Sequence, residues 1–397
     1  MRKAIIAHAG SRDHYQLALA LNETGALEQL ITDFYSPYFL QKLSPYFQKR
    51  YRYGLENSKV HNSYKVILMQ ILRLINKEND DTFFRKQDNI LSEIALKKAL
   101  KSDSNLFLYS YYAYHAFKNY TGDNKKILFQ VHPHPLSIKR ILKEEIERVP
   151  AAKFSLNNEV EMGLSEYQLQ QLIAESEMAD SIVVASSFTK NSLVENGIDK
   201  DIIRVIPYGV DFSKFNITKK QKKKSGTLNL IFVGNIIQRK GISYLLDAMN
   251  LLKSKKVVLT LCGRKADQAL LDNYSDNDNI KVKLNLNHKE LSEELNKSDI
   301  FVFPSLIEGF ALVILEAMAS GLPVITTKNT SGADIIEDGK QGYIIPIRSA
   351  KVLAEKIEKF IQDNNYFEMG LEAAKKAEEY TWKRFRTGIS DFYNSVS

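Results

Sequence analysis

The chain of 397 residues holds a single cysteine, Cys262, so no disulfide can form within it. So few cysteines fit a reducing compartment. Long apolar runs are also missing. None reaches the roughly 18 residues that span a bilayer. The nearest, 66–75, is interrupted by Gln70 and Arg73. The apolar run within 1–9 is too short for a signal peptide and reads as a first strand. No predicted strand leads into G-x-G-x-x-G, which argues against a dehydrogenase. The sequence has no internal repeat, and its one low-complexity tract is 219–224, with five lysines in six positions.

What is present describes a globular protein. Hydrophobic residues make up 44% of the chain and charged residues 26%, and the length favours two domains over one core. The net charge of +8 suits anionic partners such as phosphorylated substrates or an anionic membrane. Part of that charge lies in 219–224, which reads as a solvated loop. The stretch 38–73 mixes Lys and Arg with Tyr and Phe, a composition that suits peripheral attachment to a membrane, an acceptor site or plain core cover.

Short β-rich runs alternate with amphipathic segments. Strands are expected at 3–7, 106–109, 126–131, 181–185 and 204–206, with helices at 13–23, 166–179 and 187–195. Ser186 or Ser187 would cap the last of these. After Pro207 and the lysine-rich stretch the alternation restarts. Strands are expected at 228–233, 257–262, 280–284, 300–303 and 323–327, and helices at 242–252, 291–296, 312–320, 352–362 and 366–380. Two such series predict an α/β protein of two doubly wound domains, with parallel sheets covered on both faces. Ligands of such sheets bind at the carboxyl ends of strands, so the informative residues should follow strands.

The most informative string is FPSLIEGFALVILEAMASGLPVITT, 303–327. Glu308 stands in a loop after a strand, and Glu316 about one turn into the following helix. Their eight-residue separation spans at most ~12 Å along a helix axis. The helix start between them offers N–H groups and a positive dipole end suited to a diphosphate. Carboxylates beside an anion site are useful when they accept hydrogen bonds from hydroxyls, which sugars and ribose supply. Leu312, Leu315 and Ala319 form the predicted core stripe. A loop glutamate followed by a helix-favouring glutamate is the bland alternative.

This string closely resembles the signature of glycosyltransferase family 4, whose members have the two-domain GT-B fold. The resemblance implies that Glu308 approaches the donor sugar, that Glu316 binds the nucleotide ribose, and that Gly309, Phe310, Ala311 and Leu312 meet the diphosphate and sugar. It extends to FVGNIIQRKG, 232–241, similar to the family's phosphate loop. Lys240 matches the family's lysine there, and Gly234 its glycine. Asn235 stands where the family has arginine, and Arg239 is the candidate for the missing charge. Cations are needed because the leaving nucleoside diphosphate gains negative charge. The string 205–211 resembles the hinge, with Gly209 expected to permit a turn. The string 186–193 looks like a family string at a helix start, and 331–342 like the tail of the same domain. Thr381 and Trp382 open a segment that crosses back to the N-terminal domain in similar proteins.

The N-terminal half is less specific. Gly10 follows the first strand and would let the backbone approach a ligand. QVHPHP, 130–135, holds a histidine rigidly at a strand end. The family commonly has one there beside the transferred sugar, which favours His132, with His134 second.

The implied organisation is a GT-B fold facing across a cleft. An acceptor-binding domain would occupy 1–206, with 381–397 crossing back, and a donor-binding domain 207–380. The implied activity is a retaining, hexosyltransferase-type reaction from a nucleotide diphosphate sugar to a sugar or lipid-linked sugar, in polysaccharide, O-antigen or glycolipid assembly. His132, Lys240 and Glu308 are the catalytic candidates. Neither cofactor nor metal is expected, and Asp276-Asn277-Asp278, though spaced like a metal motif, reads as a loop. Nucleic acid is not an expected partner. The expected location is cytoplasmic, including the inner face of the membrane. The rivals are another GT-B sugar-nucleotide enzyme, a non-catalytic partner subunit suggested by Asn235, and a hydrolase. A retaining hydrolase needs its carboxylates about 5 Å apart across one bond, which a helix-borne Glu316 disfavours.

Overall fold

The computed structural model describes residues 2–76, 80–215 and 226–397. The lysine tract 219–224 lies outside them. The chain forms two parallel sheets. The first uses β1 (Ala4–Ala7), β2 (Leu27–Thr32), β3 (Val60–Asn62), β4 (Asn105–Tyr109), β5 (Lys126–Gln130), β6 (Ser181–Val184) and β7 (Ile203–Val205), in the order β3-β2-β1-β4-β5-β6-β7. The second uses β8 (Leu228–Val233), β9 (Val257–Gly263), β10 (Ile280–Leu284), β11 (Ile300–Phe303), β12 (Val324–Thr327) and β13 (Gly342–Ile345), in the order β10-β9-β8-β11-β12-β13. Central strands such as β1, β4 and β11 are buried along their whole length, as parallel strands covered on both faces must be.

The expected strands are present to within a residue or two at their ends. Beyond them the fold adds β2, β3 and β13, and the long helix Asp80–Ser102. The expected helix at 13–23 needs correction. Asp13, His14 and Tyr15 all have positive φ, and the helix is Gln16–Glu23. Asp13 explains the departure. Its carboxylate accepts from the amides of Gln16 at 3.1 Å and Leu17 at 3.2 Å, and from the Tyr109 hydroxyl at 2.6 Å. The apolar spacing of 15–21 was thus a helix entered through a tight turn.

The C-terminal helix Trp382–Val396 packs on the first sheet's layer. Arg386 donates to Glu23 and Gln16, and the Tyr393 hydroxyl donates to the Arg2 carbonyl. The chain reaches that helix past Gly209. A Cβ on Gly209 would collide with the backbone of Thr381 and Trp382. Its φ is not in the left-handed region, so close approach, not a special turn, is the reason for glycine there.

The halves also meet at helix Pro135–Arg148. Its buried Glu145 accepts from Arg348 Nε at 2.8 Å, from Gln238 at 2.6 Å and from the Tyr244 hydroxyl at 2.8 Å. Arg348 also donates to Glu144 and to the Ile141 carbonyl. A buried carboxylate is tolerated only with such partners.

Candidate active site

A cavity of about 780 Å³ opens between the sheets, lined by residues of both. Strand ends deliver its walls. After β1 come Gly10 and Arg12, after β5 His132, and after β11 the loop Ile307–Gly309 with Phe310, Ala311 and Leu312. Arg239 enters from the loop after β8.

Glu308 is the electrostatic centre. Its Oε1 accepts from Lys240 Nζ in a very short contact, from Ser305 Oγ at 2.6 Å and from Arg239 Nη1 at 3.3 Å. The Ser305 hydroxyl also lies within reach of the Arg239 carbonyl. Burial pushes the Glu308 carboxyl up, but the charges of Lys240 and Arg239 outweigh it and hold it at about 2. Burial lowers Lys240, partly offset by Glu308. Arg239 also faces the other half, with Nε 2.8 Å from Glu159 Oε2. This is a charge contact, since the N–H is not aligned on that oxygen. Burial raises the Glu159 carboxyl against the pull of Arg239.

The loop carrying Glu308 is gripped across the cleft. The Gly309 carbonyl accepts from Ser186 Oγ at 2.5 Å and Thr189 Oγ1 at 3.1 Å. A Cβ on Gly309 would strike the Val131 carbonyl, so only glycine lets the two backbones approach. Ser186 is also the cap of helix Ser187–Val194, accepting from Thr189 N at 3.2 Å. Capping and cross-cleft contact thus belong to one hydroxyl. Helix Leu312–Ala319 begins at Ala311, whose φ is 69° and which carries no side-chain cap. A left-handed alanine costs roughly 1–2 kcal/mol, and here it turns the uncapped helix start to the cavity.

The structure separates the two candidate histidines. His132 lines the cavity, its ring edge-on to Tyr111, and burial lowers its pKa. His134 is the cap of helix Pro135–Arg148, where Nδ1 accepts from Leu136 N at 3.3 Å. Burial lowers it to about 4.

Of the residues singled out from the sequence, Gly10, His132, Arg239, Glu308, Gly309, Phe310, Ala311 and Leu312 come together on the cavity wall, with Lys240 bonded to Glu308. Gly234, Asn235 and Glu316 are not in that wall. Asn235 is exposed, and Glu316 stands four residues past Leu312 on the same helix. Leu312 is partly buried, packing against the core while it also lines the cavity, whereas Leu315 and Ala319 are fully buried. Asp276 and Asp278 flank Asn277, which is buried and donates to Asn250. The wall adds residues that sequence patterns did not expose: Arg12, Asp33, Arg50, Asp88, Glu159 and Glu161.

Residues 213–383 match the family model described as Glycosyl transferases group 1. This C-terminal part, less than half of the chain, is similar to that family. The group 1 region contains Lys240, Glu308 and Glu316. Among curated relatives, the capsular polysaccharide biosynthesis glycosyltransferase CapM of Staphylococcus aureus is 31% identical over 229 residues, covering 53% of this chain and 60% of CapM. The chain spans about half the length of other curated relatives. Solved structures match along the whole chain. Sucrose-phosphate synthase from Thermosynechococcus elongatus has a TM-score of 0.66 at 18% identity, covering 100% of this chain and 99% of that one. HepE of Anabaena, solved in complex with UDP and glucose, has a TM-score of 0.65 at 13% identity, covering 100% of both. At such identities the likeness establishes the fold, which is GT-B.

Proposed function

We propose that the protein is a retaining glycosyltransferase that moves a sugar from a nucleoside diphosphate donor to an acceptor hydroxyl, in polysaccharide or glycolipid assembly. One observation carries this reading. Glu308, Lys240 and Arg239 meet beside an uncapped helix start, on the wall of a cleft between two sheets. The name of CapM and the UDP and glucose held by HepE support it.

The diphosphate would take over Lys240, Arg239 and the amides at the start of helix Leu312–Ala319. Arg239 would thereby supply the charge that Asn235 lacks. Glu308, released from part of its cation contact, would accept hydrogen bonds from sugar hydroxyls, and Glu316 would serve the ribose. The bond from the anomeric carbon to the phosphate oxygen breaks first, and its electron pair leaves with the nucleoside diphosphate. The acceptor oxygen then bonds the same face of that carbon, and its proton passes to the departing phosphate oxygen. His132, kept neutral by burial, positions the sugar without adding a second cation. The scheme uses no metal, and complete loss of turnover under EDTA would overturn that part. Among the described residues no helix is long and apolar enough to cross a membrane. The proposed location is the cytoplasmic side, at or near the membrane.

The exposed Asn235 supports one alternative, a non-catalytic partner subunit. Turnover of nucleotide sugars by the purified chain, abolished in Lys240→Ala with the fold intact, decides for the enzyme. No turnover with any donor and acceptor combination decides for the subunit.

A further inference from the structure

The N-terminal wall of the cleft is built on a strained turn. Tyr111, just past β4, has a φ of 78°, in the left-handed region that only glycine enters freely. Such strain persists where the surroundings enforce it. Here Glu175, from helix Glu166–Glu177, enforces it. Its Oε2 accepts from the Tyr111 amide at 2.8 Å, and its Oε1 from the amides of Ala113 and Tyr114, both at 3.0 Å. Glu175 is buried and makes no ion pair among the described residues. Burial pushes its carboxyl up to about 7, against the pull of those three amides.

The turn puts the Tyr111 side chain on the cleft wall. Its ring lies edge-on to His132, with centroids 5.9 Å apart. Its hydroxyl, kept protonated by burial, donates to Glu161 Oε1 at 2.7 Å. Glu161 belongs to the short helix Val160–Gly163 and lines the cleft. Among the described residues the Tyr111 hydroxyl is its only hydrogen-bond partner, and its second oxygen is not sealed within protein. This sets Glu161 apart from the other carboxylates of the wall. Asp33 is paired with Arg50, Glu159 with Arg239, and Glu308 with Lys240 and Arg239. Asp88 lies beside Arg12, and burial pushes it up to about 7. Glu161 makes no ion pair among the described residues, and its charge acts on His132 and Arg239.

A carboxylate without a cation has a use in this reaction. The bond from the anomeric carbon to the phosphate oxygen breaks first, and its electron pair leaves with the nucleoside diphosphate. Positive charge then gathers on the sugar ring. Glu308 shares its charge with Lys240 and Arg239, whereas Glu161 has no such partner. His132 beside it is kept neutral by burial and does not cancel that charge. A fixed charge in a recessed site acts strongly on charge that develops there. Resting on the transferase reading above, we infer that Glu161 is a further catalytic residue, whose carboxylate faces the transferred sugar and stabilises the positive charge of bond breaking. Tyr111 and Glu175 are positioning residues that act through it. No proton passes through Glu161. The acceptor's proton goes to the departing phosphate oxygen, and the new bond to the anomeric carbon removes the positive charge.

The test measures release of nucleoside diphosphate from UDP-glucose, UDP-N-acetylglucosamine and GDP-mannose, with water or methyl glucoside as acceptor, and separates kcat from KM. Two variants divide charge from bracing. Glu161→Gln keeps an oxygen for the Tyr111 hydroxyl and removes the charge. Glu161→Asp keeps the charge and is too short for that bond. The inference predicts that Glu161→Gln loses at least ~100-fold in kcat with little change in donor KM. Glu161→Asp should retain more turnover than Glu161→Gln. Tyr111→Phe, which keeps the ring and frees Glu161, should lower kcat roughly tenfold at unchanged KM. Melting temperatures near that of wild type confirm that the variants fold. Three results would overturn the inference. The first is a Glu161→Gln as active as wild type. The second is a Glu161→Asp less active than Glu161→Gln, which reduces Glu161 to a brace for Tyr111. The third is a loss carried wholly by KM, which makes Glu161 a ground-state binding group. A wild type that turns over no nucleotide sugar overturns the transferase reading and this inference with it. An active wild type beside an unaffected Glu161→Gln overturns the inference alone.

Discussion

The Nε of Arg239 stands 2.8 Å from Glu159, so a cation that follows β8 is paired with an anion from the opposite half of the molecule. The same guanidinium reaches Glu308 through Nη1 at 3.3 Å. Both carboxylates occupy the cation that a diphosphate would need. Glu159→Gln should therefore tighten binding of a nucleoside diphosphate, by roughly fivefold or about 1 kcal/mol. Isothermal titration measures it. A weaker affinity would instead make Glu159 the residue that holds Arg239 in position.

Lys240 and Glu308 should behave as one unit. Removing one member of a buried pair leaves an uncompensated charge and costs about 3–5 kcal/mol. Lys240→Met and Glu308→Gln should each destabilise to urea, and the double variant should cost less than their sum. Turnover in Lys240→Met should fall at least ~100-fold, as when a preorganised donor to a developing anion is lost. Additive stability losses would show that the two residues act separately.

Acid should weaken this pair with a definite sign. The folded Glu308 carboxyl titrates at about 2, below its ordinary value of 4.5. Its contribution to stability is complete above 4.5 and is lost as pH falls toward 2. The stability gap between wild type and Glu308→Gln should be constant from pH 6 to 8 and should narrow between pH 4.5 and 2.5. Unfolding curves across that range check it. A gap that already closes near pH 6 would contradict the assignment.

Gly309→Ala should separate the loop from the N-terminal half. The added Cβ meets the Val131 carbonyl, which no side-chain rotation relieves. Overpacking of this kind costs about 1–3 kcal/mol. Turnover should fall more than tenfold, because the Ser186 and Thr189 bonds to the Gly309 carbonyl are displaced with it. Calorimetry and steady-state kinetics measure the two effects, and an unchanged melting temperature would contradict the close approach.

Much of this was legible in the residues. Buried parallel strands write themselves as short apolar runs, so β8, β10 and β11 stand where the sequence places them. β3 has only three residues at a sheet edge, with little periodicity to read. The helix Asp80–Ser102 lacks a clean apolar stripe, and no sequence signal separated it from its surroundings. Pro135 directly after His134 is a helix-start signal in the sequence, and it marks that histidine as a cap. Glu159 and Arg12 were invisible for another reason. Each belongs to no motif, and each matters only through what the fold places opposite it.

The most direct test of the proposed donor site is a thermal-shift series with nucleotide sugars and their nucleoside diphosphates, on wild type and Lys240→Met. A ligand present at a hundred times its Kd stabilises by about 2.7 kcal/mol. The site described here predicts a clear rise in melting temperature for at least one nucleoside diphosphate and its sugar, lost in Lys240→Met. No shift with any of them, or a shift that persists undiminished without Lys240, would contradict it.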